Sequence, residues 1–186
     1  MLTRGNTKEK RMMSRGLIVL AFSVVFLTPI FAQDEIDLER LDGKFTRQLE
    51  AKLPGWKHER GEPMAGSKNV LIQYWSFSNR KIKITITPQK SAEEAREKME
   101  GFAKNMKGAE ELKGFGDQAY SWGYASGNIV FRRGRFAVFV STYADVDSDA
   151  DARTMTPSQR GERERAEMKR LSREFAKHLT NAIDGQ

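Results

Sequence analysis

The sequence contains no cysteine, which excludes disulfides, thiolate metal ligands, cysteine nucleophiles and a lipid-modified N-terminal cysteine together. Histidine is almost as scarce, with only His58 and His178 to titrate near neutrality. No G-x-S-x-G, H-E-x-x-H or P-loop run occurs. Ser78-Asn79-Arg80-Lys81 matches S-x-x-K, but it falls on a hairpin turn, where that acylating chemistry needs the start of a helix. Enzyme readings are therefore left without a nucleophile, a metal cage or a phosphate cradle, and no cofactor is expected. A length of 186 residues points to one domain with at most a small appendage.

An excess of positive charge is also missing once the chain is divided. The formal +7 includes Arg4, Lys8, Lys10, Arg11 and Arg15 against Glu9 in residues 1–32, leaving 27 Lys/Arg and 24 Asp/Glu, a net of +3, beyond that point. So small a balance gives no argument for nucleic acid as a partner. Residues 17–32 are an apolar run behind that basic stretch, closed by Ala32 before Gln33-Asp34-Glu35. The order predicts a secretory signal peptide, with the exported protein beginning at Gln33; retained, the same run would be an N-terminal anchor and the only membrane contact. Pro29 and the shortness of the run argue against an ordinary span. The remaining 154 residues can bury about 68–70% of their unfolded surface, enough to fold without disulfides, and an exported protein lacking cysteine is expected in a bacterial periplasm or secreted from it.

Residues 33–186 read as a single α+β domain. Leu38, Leu41, Phe45 and Leu49 recur at helical spacing over residues 34–53, before Pro54-Gly55. Residues 69–78 and 81–87 are β-branched and aromatic and are predicted to pair through a tight turn at Asn79-Arg80. In the second of them Ile82, Ile84 and Ile86 alternate with Lys81, Lys83 and Thr85, so that strand buries one face. Ser91–Glu94 is a capping box ahead of a helix with Ala95, Met99 and Phe102 inward. Strands follow over 118–124, 128–133 and 135–143, the last two joined at Gly134. Thr156-Pro157-Ser158-Gln159 caps a final helix with Leu171, Phe175 and Leu179 inward. The order α-ββ-α-ββ(β)-α predicts a central antiparallel sheet of two hairpins with helices on both faces. The two capped helices are expected on one face and the N-terminal helix on the other.

Leu53-Pro54-Gly55-Trp56, Gly114–Tyr120 (GFGDQAY) and Phe131–Val138 (FRRGRFAV) resemble exported bacterial domains of unknown function with PsbP-like α/β/α sandwich folds. The resemblance runs from Trp56 to the C-terminus. It implies an envelope location and a binding or accessory role, and no catalytic residue.

Four groups could carry function. Tyr74, Trp75, Phe77, Trp122, Tyr124, Phe139 and Tyr143 concentrate aromatics on the hairpins; most belong in a core, and any left outside it would form a groove. Trp75, Phe77, Trp122 and Tyr124 are the expected contacts for a partner protein or ligand, with Arg132, Arg133 and Arg135 beside them as an anion clamp or as a solubilising hairpin tip. Asp145, Asp147, Asp149 and Asp151 have the alternation of a calcium loop, but Ala150 stands where glycine is needed and Thr156 where a closing Glu is needed, so a solvated acidic loop is expected. An enzyme, of a small hydrolase type, would have to assemble distant residues such as His58, Asp117 and Arg132. The expectation is a non-catalytic envelope domain that binds through an aromatic sheet face.

Overall fold

The computed structural model describes residues 36–184 other than 64, 66 and 68; the apolar run at 17–32 lies outside them. No described helix is long and apolar enough to cross a membrane. The elements are α1 (Leu38–Lys52), β1 (Lys57–Gly61), β2 (Leu71–Phe77), β3 (Arg80–Pro88), α2 (Ala92–Asn105), β4 (Glu110–Leu112), β5 (Gln118–Trp122), β6 (Asn128–Arg133), β7 (Phe136–Ala144) and α3 (Pro157–Asp184). The seven strands form one antiparallel sheet in the order β1-β2-β3-β7-β6-β5-β4. The predicted α+β class and its two hairpins are present, extended by the short polar edge strands β1 and β4.

Local chemistry places the ends. Asp37 accepts from the amides of Glu39 and Arg40, so α1 begins at Leu38, after the non-helical residues 36 and 37. Ser91 Oγ accepts from the Glu94 amide at 3.1 Å, while the Glu94 carboxylate returns to the amide of Lys90, one residue before the position expected of it. Thr156 and Gln159 form the reciprocal box at the start of α3.

The hairpin turns share a geometry. Phe77 pairs with Arg80, so the β2–β3 turn is Ser78-Asn79, one residue earlier than the sequence predicts, and its first central residue sits at φ 51°. Arg133 pairs with Phe136, and Gly134 occupies the same place at φ 54°. Glycine adopts that region freely, whereas serine does so at a cost. Ser78→Gly is therefore expected to stabilise the protein by about 0.5–1 kcal/mol, the left-handed penalty of about 1–2 kcal/mol less glycine's extra chain entropy of about 0.5–1 kcal/mol. The thermal midpoint of the variant against the parent checks this.

Register divides the side chains between two layers. Trp75, Ile82, Ile84, Phe131, Val138 and Val140 point to one face, where they pack with Phe45 and Leu49 of α1 and Leu171, Phe175 and Leu179 of α3. The two helices touch each other there and share one core. This corrects the expected layering: α1 joins α3, and α2 lies alone on the opposite face. Its Phe102 ring meets Trp122 at 4.8 Å and Phe139 at 5.7 Å, edge to face. The reason is area. α3, 28 residues and about 42 Å long, lies over β6 and β7, and the apolar face of β2 and β3 beside it needs a second helix. The 14 residues of α2 lie mainly against β5, β6 and β7. The α2-side face of β1, β2 and β3 is left without a helix.

Candidate functional site

That uncovered half-face contains a groove of about 460 Å³. Lys57, Ser76, Lys81 and Tyr143 form one lateral row across β1, β2, β3 and β7, and Glu59, Tyr74, Lys83 and Ser141 form the next. Alternation decides this: the strands that send Trp75 and Ile82 into the core must send Tyr74 and Lys83 out. Tyr74 is 43% and Tyr143 54% exposed, and both line the groove with Glu59, Lys81, Lys83 and Ser141. The Lys83 ammonium stands 5.9 Å from the Tyr74 ring centroid. Gly61 lets that ring settle: a Cβ there would come within 2.7 Å of Tyr74 Cε2 and 2.6 Å of Ile72 Cγ2.

The aromatic residues singled out in the sequence are distributed differently. Trp75 is 1% exposed; its indole N–H donates to Gln73 Oε1 at 3.2 Å, and Gln73 in turn donates to Asp42 of α1 at 2.6 Å. It is a core residue and lies on the opposite side of the sheet from the groove. Trp122 is half-buried under α2. Phe77 is exposed at the end of β2, against Trp56 at 5.9 Å. Tyr124 lies past β5 in a short 3-10 turn and accepts from Arg165 at 3.1 Å. None of the four lines the groove, apart from the Trp75 backbone beneath it. Tyr74 and Tyr143 take their place, and the signal that could have found them was the lysine alternation in β3.

The three hairpin arginines do not act as one clamp. Asp117 bridges the turn: it accepts from the Gly134 amide at 2.8 Å and pairs with Arg132 at 3.0 Å and Arg133 at 2.6 Å. Partial burial opposes its ionisation, but the Gly134 amide and the two guanidiniums outweigh this and hold the carboxyl below its ordinary range. Arg133 also pairs with Asp184 at the end of α3. Arg135 lines a small hollow with Phe136 and Asp184. These contacts tie the hairpin tip to the last helix.

The acidic loop is not simply solvated, as the sequence suggested. Asp149 takes both Nη groups of Arg80 at 2.8 Å and one of Arg163 at 3.2 Å, Asp151 pairs with Arg163, and Asp147 pairs with Arg160 at 3.4 Å. Asp145 accepts from the Asp147 amide at 2.9 Å. Among the described residues no cluster of three or more His, Cys, Asp or Glu side chains is placed to hold a metal. Millimolar calcium is therefore expected to leave the thermal midpoint within a degree or so, whereas a ligand at 100 times its Kd would add about 2.7 kcal/mol. A shift of several degrees, lost in Asp147→Asn, would show the loop trading its arginines for a cation.

His58, Asp117 and Arg132 are not brought together. His58 is on edge strand β1 and Arg132 on β6, four inter-strand steps apart, about 19 Å at the usual spacing of about 4.8 Å. His58 is half-buried, with its ring 4.9 Å from Trp75. His178, on α3, has its imidazole pushed below the ordinary range by burial. No protein family, curated protein or solved structure matches the chain.

Proposed function

We propose that this is an exported, non-catalytic binding module of the bacterial envelope whose partner, a protein or ligand, seats on the open half-face of the sheet. One observation carries the reading: a half-sheet with no helix over it presents Tyr74 and Tyr143 on either side of a lysine-bearing strand. Tyrosines with an apolar body and a polar tip are the residue type that anchors interfaces. The apolar run at 17–32 supports export, and the resemblance to PsbP-like sandwiches supports an accessory role.

The test is recovery of the native partner from envelope extracts with the full chain, its Tyr74→Ala/Tyr143→Ala variant and its His58→Ala variant. Both tyrosines are exposed, so the variants are expected to melt near the parent. Loss of binding by the tyrosine variant, about 2 kcal/mol or more and hence roughly thirtyfold in Kd, is expected, with His58→Ala unchanged. The reverse pattern would sink the binding reading and favour acid–base chemistry at His58.

A further inference from the structure

Resting on that reading, we propose that the occupant of the half-face is an extended acidic segment of a partner protein, with alternate carboxylates on Lys81 and Lys83 and the chain held between the rings of Tyr74 and Tyr143. Charge is the first argument. Five guanidiniums elsewhere, those of Arg80, Arg132, Arg133, Arg163 and Arg170, each hold a described carboxylate. Lys57, Lys81 and Lys83 share one half-face and are in none of the ion pairs between described residues; the single carboxylate among them is Glu59.

Lysines on a sheet usually blunt an edge against pairing with other chains. That role does not apply here, because β3 lies between β2 and β7, inside the sheet. Its two outward lysines therefore leave positive charge beside a groove where the fold supplies little to neutralise it. An anionic occupant is the electrostatic complement.

Spacing then selects the kind of anion. Lys81 and Lys83 are alternate residues of one strand, so their Cα atoms stand about 6.6–6.8 Å apart. A second extended chain lying along β3 repeats its own same-side groups at that period, so Glu or Asp at alternate positions meets both ammonium groups in one register. Sugar polymers and lipid headgroups carry their charges at spacings unrelated to the strand period. The tyrosines fit the same axis: Tyr74 is opposite Lys83 on β2 and Tyr143 opposite Lys81 on β7, one on each flank of a chain that follows β3.

The experiment uses the full chain and four probes: a labelled eight-residue peptide alternating Glu with Leu, its Lys–Leu counterpart, heparin, and phosphatidylglycerol vesicles. The Glu peptide is expected to bind in preference to the other three. Charge reversal in Lys81→Glu/Lys83→Glu is expected to weaken the Glu peptide at least tenfold and to admit the Lys peptide, while Lys81→Arg/Lys83→Arg retains the parent preference. Lys81 and Lys83, like Tyr74 and Tyr143, are exposed, and unchanged melting is the control on folding. A Glu peptide that binds no better than the Lys peptide, or that ignores the charge reversal, overturns the proposal. So does preferential binding of heparin or vesicles that the reversal abolishes, although the half-face would then still be a binding surface. If the native partner is lost in Tyr74→Ala/Tyr143→Ala but held by Lys81→Glu/Lys83→Glu, the acidic segment is wrong and the face is right; if neither variant affects it, both readings fail.

Discussion

Trp75→Ala should lower the unfolding free energy by about 3–5 kcal/mol, the range for truncating a large aromatic in a packed core. Trp75 is among the largest fully buried side chains of the domain, edge-on to Phe175 of α3 with ring centroids 6.2 Å apart and tilted against His58 of β1. Its removal empties space where α1, α3 and the sheet meet. It also leaves Gln73 Oε1, buried, without the indole donor, at a cost of about 1–3 kcal/mol within that total. Trp75→Phe keeps most of the volume but loses the N–H with part of the ring system, so its cost should lie between the hydrogen-bond part and the loss in the alanine variant. Urea denaturation of the two variants separates the contributions. A loss below about 1 kcal/mol for the alanine variant would contradict the placement of Trp75 in the core. Because a domain of this size has only about 5–15 kcal/mol in hand, any binding defect of Trp75→Ala would have to be read as partial unfolding.

Arg80→Ala is expected to cost about 1.5–3 kcal/mol at neutral pH, since it removes the bidentate donor of Asp149 and one of the two guanidiniums on Glu167, leaving Arg163 and Arg170 in place. Arg80, mostly buried beside the turn of the β2–β3 hairpin, donates to both Asp149 oxygens and through Nε to Glu167 Oε1 at 3.3 Å. It thereby pins the loop after β7 and the first half of α3 to the hairpin. Asp149 is held below its ordinary range chiefly by its Arg80 hydrogen bonds, and Glu167 by Arg170 and then Arg80. For carboxyls depressed in the folded state, the stabilisation is complete above their unfolded pKa, about 4, and is lost as pH falls through the lower folded values. The parent should therefore lose stability steeply below about pH 4. In Arg80→Ala the two carboxyls return toward ordinary values, so the gap between the proteins should narrow from pH 7 toward pH 2. Urea midpoints across that interval decide it; a gap that stays constant would mean the loss comes from packing and not from the ion pairs.

Much of the fold was legible in the chain itself. Ser91 and Thr156 mark two of the helix starts because a side-chain oxygen ahead of a periodic apolar stripe is a local signal; Asp37 carries the same signal for α1, but the sequence alone predicts that helix from residue 34. The strict alternation Lys81–Thr85 settles which face of β3 is wet before any neighbour is known. The apolar character of both faces of β7 likewise called for cover on two sides, and Val138 and Phe139 found it on opposite faces of the sheet.

Periodicity states that a face is covered, but it carries no information about which helix covers it or how far that helix reaches. Hence the placement of α1 beside α3, the half-face that α2 leaves open, and the sorting of seven hairpin aromatics into core and surface were decided only by tertiary packing. Trp75 and Tyr74 are adjacent in sequence and chemically similar, yet one is buried and the other exposed, because the strand sends them to layers filled to different extents. Charges follow the same rule: Arg80 and Asp149 are 69 positions apart, so a run of four aspartates read as a solvated loop until the fold brought its arginines to it. The sequence by itself determined the three helices, the main hairpin strands, two of the helix caps and the wet face of β3, since each depends on residues within a turn or a strand. What covers each face, and which lysines are left without a carboxylate, depends on long-range packing and is decided only by the three-dimensional arrangement.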